Sequence, residues 1–357
     1  MLLTTMTTKS FLENATSDSA YLYKDFDEEY VILCDTSAIT KFGASFVPVF
    51  YYFVFLFSLA GNGLIFFILL KYEKLKSATN ILILNLVISD LLFAITLPFW
   101  AVYHSSEWIF GNDMCKIVSS LYQVGFYSSI LFLTMMTIDR YLAIVHAMLA
   151  VHAKRLIYAA WGSVLVWVVS ILSSVPKFTL FGTRDDDKLG ILCEETGYTD
   201  RTLYIWKVFG NFQQTLLFFV CPLAITVYCY LRISIIIIKT KMLEKYKTIK
   251  LIFIIVLTFF ICWAPYNILV FLMTLQTFQK RSDNSCDNTL DYAFYVCHYI
   301  AYFHCCINPI LYTLVGNKFR RHLMHVFENL FCCQGNYRKG SITNDKAYDD
   351  SLNICLE

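Results

Sequence analysis

The sequence predicts an all-α membrane protein, a seven-transmembrane helix bundle with a short amphipathic eighth helix. Three observations predict it. The 357 residues are 57% hydrophobic and 16% charged, with a mean hydropathy of +0.55, whereas soluble domains run about 45–50% apolar and about 25% charged. The apolar residues gather in seven blocks, each long enough for a helix to cross a bilayer. Lysine and arginine crowd into every second connection, the charge bias that orients a polytopic chain.

The blocks fall at 46–70, 79–103, 114–144, 156–178, 203–238, 248–275 and 290–314. A helix satisfies its own backbone polar groups in lipid, so seven such blocks imply a bundle. Residues 1–45 lack the charged start, apolar stretch and cleavage site of a signal peptide. They form an acidic tail, and the first block serves as its own insertion signal. The first alternate connection carries Lys71, Lys74 and Lys76, and the second Lys154 and Arg155. The third carries Lys239, Lys241, Lys245, Lys247 and Lys250, and the chain beyond the last block opens with Lys318, Arg320 and Arg321. These surfaces face the cytoplasm. The tail holds seven acids against three lysines, and Asp185, Asp186, Asp187, Glu194 and Glu195 mark a second outer segment. The N-terminus is therefore expected outside and the C-terminus inside.

The bundle occupies 46–316, and Pro98, Pro222, Pro265 and Pro309 are expected to kink its helices where neighbours re-satisfy the freed carbonyls. At 317–331, Phe319, Leu323, Val326, Phe327 and Leu330 share one face of a helix that would lie on the inner leaflet. Cys332 and Cys333 follow it as candidates for palmitoylation, and 332–357 is a cytoplasmic tail. No internal repeat of the kind common in transporters is visible. Of the 13 cysteines, Cys221, Cys229, Cys262, Cys297, Cys305 and Cys306 lie inside apolar blocks, where thiols act as small hydrophobes. Cys34, Cys115, Cys193 and Cys286 lie outside and suggest two bridges. Asn14-Ala-Thr16 is a glycosylation sequon on the same side.

Ionisable groups at membrane depth are functional candidates. Asp90 stands in the second block without a basic residue near it in sequence. It needs hydration, a proton or a cation, and a sodium ion with Ser129 and Asn308 as further oxygen donors is one solution. Asp139, Arg140 and Tyr141 lie where the third block reaches the cytoplasm. Arg140 can pair with its neighbouring carboxylate in one state and meet an intracellular partner in another, or simply snorkel to the interface.

One signature per block then stands in register: Gly61-Asn62, Leu86 to Asp90, Asp139-Arg-Tyr141, Trp161, Pro222, Cys262-Trp-Ala-Pro265 and Asn308-Pro-Ile-Leu-Tyr312. Together these resemble the rhodopsin-like G-protein-coupled receptors. Asp139-Arg-Tyr-Leu-Ala-Ile-Val-His-Ala147, Thr96-Leu-Pro98, His304-Cys-Cys-Ile-Asn-Pro309 and Val315-Gly-Asn-Lys-Phe-Arg320 look like the chemokine receptor branch, most closely the CC type. The likeness covers about residues 34–330.

The resemblance implies bridges Cys115–Cys193 and Cys34–Cys286, a chemokine ligand, and no enzymatic activity. Acid-flanked Tyr21, Tyr23 and Tyr30 would be sulfated and attract a basic ligand. Tyr51, Trp100, Tyr122, Tyr266 and His298 would line the pocket for the ligand's N-terminus, aromatic faces suiting an amphipathic end. His298 departs from the family, in which most members carry Glu there, and this implies an altered ligand set. Repacking around Trp263 and Pro265 would swing the sixth helix outward and free Arg140, with Tyr230, Tyr312, Asn308 and Pro309 completing the switch. The expected partners are an inhibitory-class heterotrimeric G protein, arrestin and membrane lipids, without nucleic acid. The outputs would be calcium mobilisation and chemotaxis. A hydroxyl-poor tail (Ser341, Thr343, Ser351) implies sluggish desensitisation. The rival readings are an atypical or virus-encoded scavenging receptor, a transporter or channel, and an intramembrane enzyme.

Overall fold

A computed structural model describes residues 37–73, 75, 77–146, 152–187, 190–240, 246–278, 289–315 and 320–324. Asn14, Tyr21, Tyr23, Tyr30, Cys34, Cys286, Cys332 and Cys333 lie outside them, as does the side chain of Tyr312.

The first span is α1, Ser37–Ile68, closed by a π-helical turn at Leu69–Glu73. It starts ahead of the boundary expected at 46, so residues 37–45 of the presumed tail are helical. The second span is two helices, α2 (Ala78–Ala94) and α3 (Leu97–Ser105). Ser77 caps α2, its hydroxyl accepting from the Asn80 N–H. Thr96 Oγ1 donates to the Phe93 carbonyl at 2.7 Å, and Pro98 sits in the first turn of α3, where its missing N–H costs nothing. The expected proline kink is thus a break between helices. The third and fourth spans are α4, Gly111–Val145, and α5, His152–Leu180.

An antiparallel hairpin follows, β1 (Phe181–Asp186) against β2 (Gly190–Glu195), pairing Phe181 with Glu195 and Asp186 with Gly190. The fifth span joins α6 (Asp200–Phe212) to α7 (Cys221–Thr240) through a π-helical stretch at Gln213–Val220. The sixth is α8, Tyr246–Phe278. Six of these units are long and apolar enough to cross a bilayer. The seventh block is divided into α9 (Thr289–Tyr302) and α10 (His304–Val315), so neither piece alone reaches that length.

The division falls at Phe303, six residues before the expected kink at Pro309. His304 Nδ1 donates to the Ala301 carbonyl at 2.6 Å and Cys305 Sγ donates to that of Tyr302 at 3.1 Å. Side chains thereby compete with the backbone ladder. Pro309 acts differently: lacking an N–H, it leaves the Cys305 carbonyl free, and Asn62 Nδ2 donates to that carbonyl at 2.9 Å. A Cβ on Gly61 would stand 2.7 Å from Pro309 Cβ. The Gly61-Asn62 pair of α1 therefore exists to fit α10.

The buried core runs down the bundle axis and includes Phe93, Phe126, Phe132, Phe259 and Trp263. Apolar side chains also face outward. On α5, Trp161 is 71% exposed beside Tyr158, Leu165 and Leu172, the expected pattern for a lipid-facing stripe.

Candidate functional site

At one end of the bundle the hairpin is anchored across the mouth. Cys115 of α4 and Cys193 of β2 form the disulfide that the resemblance implied. Four hydrogen bonds reinforce it. Trp108 N–H donates to the Ile191 carbonyl and Ile191 N–H to Glu107 Oε2, both at 2.8 Å. Cys193 N–H donates to Tyr103 Oη at 3.2 Å, and Thr183 N–H to Asn112 Oδ1 at 3.0 Å. Lys177 Nζ closes the inner corner on Glu195 Oε1 at 2.5 Å. Burial works to raise the Glu195 carboxyl, but Lys177, helped by Lys207, outweighs it and holds that carboxyl below the usual carboxylate range.

Beneath lies a cavity of about 30 Å3, lined by Tyr51, Trp100, His104, Tyr122, Tyr295, His298, Tyr299 and Tyr302. The structure brings together four of the five residues read from sequence. Tyr266 stands behind the wall, its ring stacked 5.1 Å from that of His298. Tyr122 Oη and His298 Nε2 are 3.4 Å apart. The sequence reading missed His104, Tyr295, Tyr299 and Tyr302, although 295, 299 and 302 repeat at the spacing of one helix face. It also missed a second cavity of about 70 Å3 between α4, α5, the hairpin and α6, whose lining includes Gln123, Lys177, Glu195, Lys207 and Gln214.

A column of rings descends from the pocket. Tyr122 lies 5.0 Å from Phe93, Phe93 lies 6.5 Å edge-on from Trp263, and Phe126 lies 3.9 Å from Trp263. Trp263 in turn lies 5.4 Å from His304. His304 Nε2 approaches Asp90 Oδ1 to 3.9 Å, both residues fully buried. Asp90 accepts from Ser129 Oγ at 3.0 Å and from Asn308 Nδ2 at 2.8 Å.

The structure brings together the three residues read from sequence and adds His304, which the sequence reading had not placed with them. Because its Nδ1 donates to Ala301, Nε2 carries a lone pair. Neither that nitrogen nor Asn308 Oδ1 has a hydrogen-bond partner among the described residues. A carboxylate, a hydroxyl and a spare amide oxygen form a donor set that fits a small hard cation.

At the end of the bundle opposite the hairpin Asp139 Oδ2 accepts from Arg140 Nη2 at 2.7 Å, the closed pair read from sequence. Arg140 Nη2 also bonds Thr79 Oγ1 of α2. Arg155 of α5 adds contacts that the sequence did not reveal: Nε donates to Asp139 Oδ1 at 3.0 Å, and Nη2 to Oδ1 at 2.7 Å and to Oδ2 at 2.8 Å. Tyr141 Oη lies 3.3 Å from His146 Nε2. Tyr230 is buried, its ring 4.8 Å edge-on from Phe253 of α8. The site can hold and release partners, and nothing in it forms a nucleophile–base pair among the described residues.

Comparison with known proteins places this geometry. Residues 61–312 match the family described as 7 transmembrane receptor (rhodopsin family). The chain is 40% identical to C-C chemokine receptor type 3 of Cavia porcellus over 303 residues, 84% of this chain and 83% of that one. It is 38% identical to human C-C chemokine receptor type 4 over 324 residues, 91% and 87% of the two chains. With human C-C chemokine receptor type 8 the identity is 36% over 315 residues, 88% and 87%. The protein is a multi-pass membrane receptor, not an enzyme. A disulfide-anchored mouth, an aromatic pocket and a paired arginine on a seven-span bundle thus have their explanation: the chain belongs to the rhodopsin family of seven-transmembrane receptors and, within it, to the chemokine receptors, most like the C-C type.

Proposed function

We propose that this receptor binds C-C chemokines from outside and activates an inhibitory-class heterotrimeric G protein inside, with calcium mobilisation and chemotaxis as outputs. The observation that carries the proposal is the unbroken ring column from Tyr122 through Phe93 to Trp263. A ligand end that moves the pocket wall thereby moves the centre of α8. The acidic tail and outer hairpin capture the chemokine by charge. Its N-terminus displaces Tyr51, Tyr122 or His298, Trp263 repacks, and α8 pivots at Pro265. Arg140 leaves Asp139 and meets the G protein, while Tyr230, Tyr312, Asn308 and Pro309 hold the opened form. The ligand shifts the population by its differential affinity for the two forms.

Sodium at Asp90, Ser129 and Asn308 would supply countercharge to the carboxylate in the closed form. Sulfation of Tyr21, Tyr23 and Tyr30, glycosylation of Asn14, a Cys34–Cys286 bridge, palmitoylation of Cys332 and Cys333, arrestin recruitment and lipid contacts belong to the same proposal. The intact Asp139–Arg140 pair favours signalling over scavenging.

A calcium-mobilisation screen of the expressed receptor against a C-C chemokine panel tests this, with Arg140→Ala as the silent control. At least one chemokine should evoke a transient that Arg140→Ala abolishes at equal surface expression. Binding without any transient would leave a scavenger instead, and an undiminished response from Arg140→Ala would refute the switch.

A further inference from the structure

We propose that Arg155 is a positioning residue for the receptor switch: it stays on Asp139 and keeps that carboxylate paired when Arg140 departs. The inference deepens the signalling role proposed above and rests on it. Its basis is the division of the Asp139 lone pairs. Arg140 takes one hydrogen bond, to Oδ2, and Arg155 takes three, spread over both oxygens. The Asp139 side chain is only 13% exposed, and those of Arg140 and Arg155 are 14% and 24%.

Removing one partner of a sheltered carboxylate normally leaves an uncompensated charge, and that cost would hold the receptor closed. Here the bidentate fork of Arg155 already satisfies both oxygens. Arg140 can therefore leave for an intracellular partner without stranding Asp139. A second effect has the same sign: a carboxylate shared between two guanidiniums binds each less firmly than it would bind one. Arg155 enters from α5, across the connection that follows α4, and so depends on neither α8 nor the ligand pocket. Thr79 plays a different part, because it contacts Arg140 itself and favours the closed form.

Purified receptor in nanodiscs, with an inhibitory-class heterotrimer and whichever C-C chemokine evokes calcium in the panel, provides the assay. Arg155→Ala should lower the GTP exchange rate about fivefold, the scale of one well-formed ion pair near a surface. Arg155→Lys should recover part of that loss, since it restores charge without the fork. In an Asp139→Asn background Arg155→Ala should change nothing, because no carboxylate remains to be stranded. Exchange at or above the parent level in Arg155→Ala overturns the inference, as does an equal loss in the Asp139→Asn background. A dye on Lys250→Cys of α8 reports opening without any G protein. If the parent receptor drives no exchange with any chemokine, the coupling proposal fails. The inference then stands only if Arg155→Ala still lowers the open fraction seen by the dye.

Discussion

A methyl group on Gly125 would stand 2.8 Å from the backbone nitrogen of Phe93 and 3.0 Å from its Cα. Backbone cannot yield as a side-chain tip can, so α2 and α4 would have to separate beside the second ring of the column. Gly125→Ala should therefore destabilise the receptor by about 1–3 kcal/mol, as overpacking does. A thermal-shift measurement in detergent should show a clearly lower midpoint, and an unchanged one would mean the helices have room. Asp90, Ser129 and Asn308 were legible because isolated polar residues in apolar blocks have few partners to choose from. Tyr51, Trp100, Tyr122 and His298 were legible only through resemblance, since aromatics in a bundle serve equally as core. Arg155 was counted as an orienting charge, and its sequence position says nothing of where a long side chain reaches. His304 was read with its neighbours as a family signature; the lone pair it aims at Asp90 follows from the Ala301 bond, which is tertiary information.

At the scale of elements, apolar length located the spans to within a few residues, except that the first starts at Ser37 rather than at 46. The interruptions were not legible. Proline marks where a helix can break, but Phe303 is set by His304 and Cys305 bonding back onto the chain, and the π-helical stretch at Gln213–Val220 has no proline inside it. The hairpin went unread because its strands are short and its acids look like loop. It offers a pH test. The Glu195 carboxyl titrates below its ordinary range, so the Lys177 tie contributes above the unfolded carboxylate value of about 4.3 and is lost as pH falls through the folded one. Hydrogen exchange at the Thr196 amide, which bonds the Leu180 carbonyl, should quicken, beyond the intrinsic pH trend, as pH drops below about 4. In Glu195→Gln that added acceleration should vanish. If it persists, another group governs the corner.

For the molecule as a whole, the seven-span plan came from the solvent, because lipid demands satisfied backbones, and the connections divide into lysine-rich and acid-rich sets. The same charge asymmetry sets a kinetic expectation. In the proposed orientation the acids of residues 1–45 and of the hairpin give the ligand-binding face a field that would steer a basic chemokine. Its association rate should fall several-fold as salt rises past the point where the Debye length is about 10 Å, while dissociation changes less. Replacing Asp25, Asp27, Glu28 and Glu29 with Asn and Gln should flatten that slope in a surface-plasmon measurement; an equally steep slope would assign the steering elsewhere.

In the proposed mechanism a ligand end displaces rings that line the pocket, which makes the form that accepts a ligand a minority of the resting ensemble. Measured affinity is then the intrinsic affinity scaled down by that minority fraction. Trimming one of those tyrosines to alanine should tighten binding and weaken efficacy together, dissociating two quantities that usually travel as one.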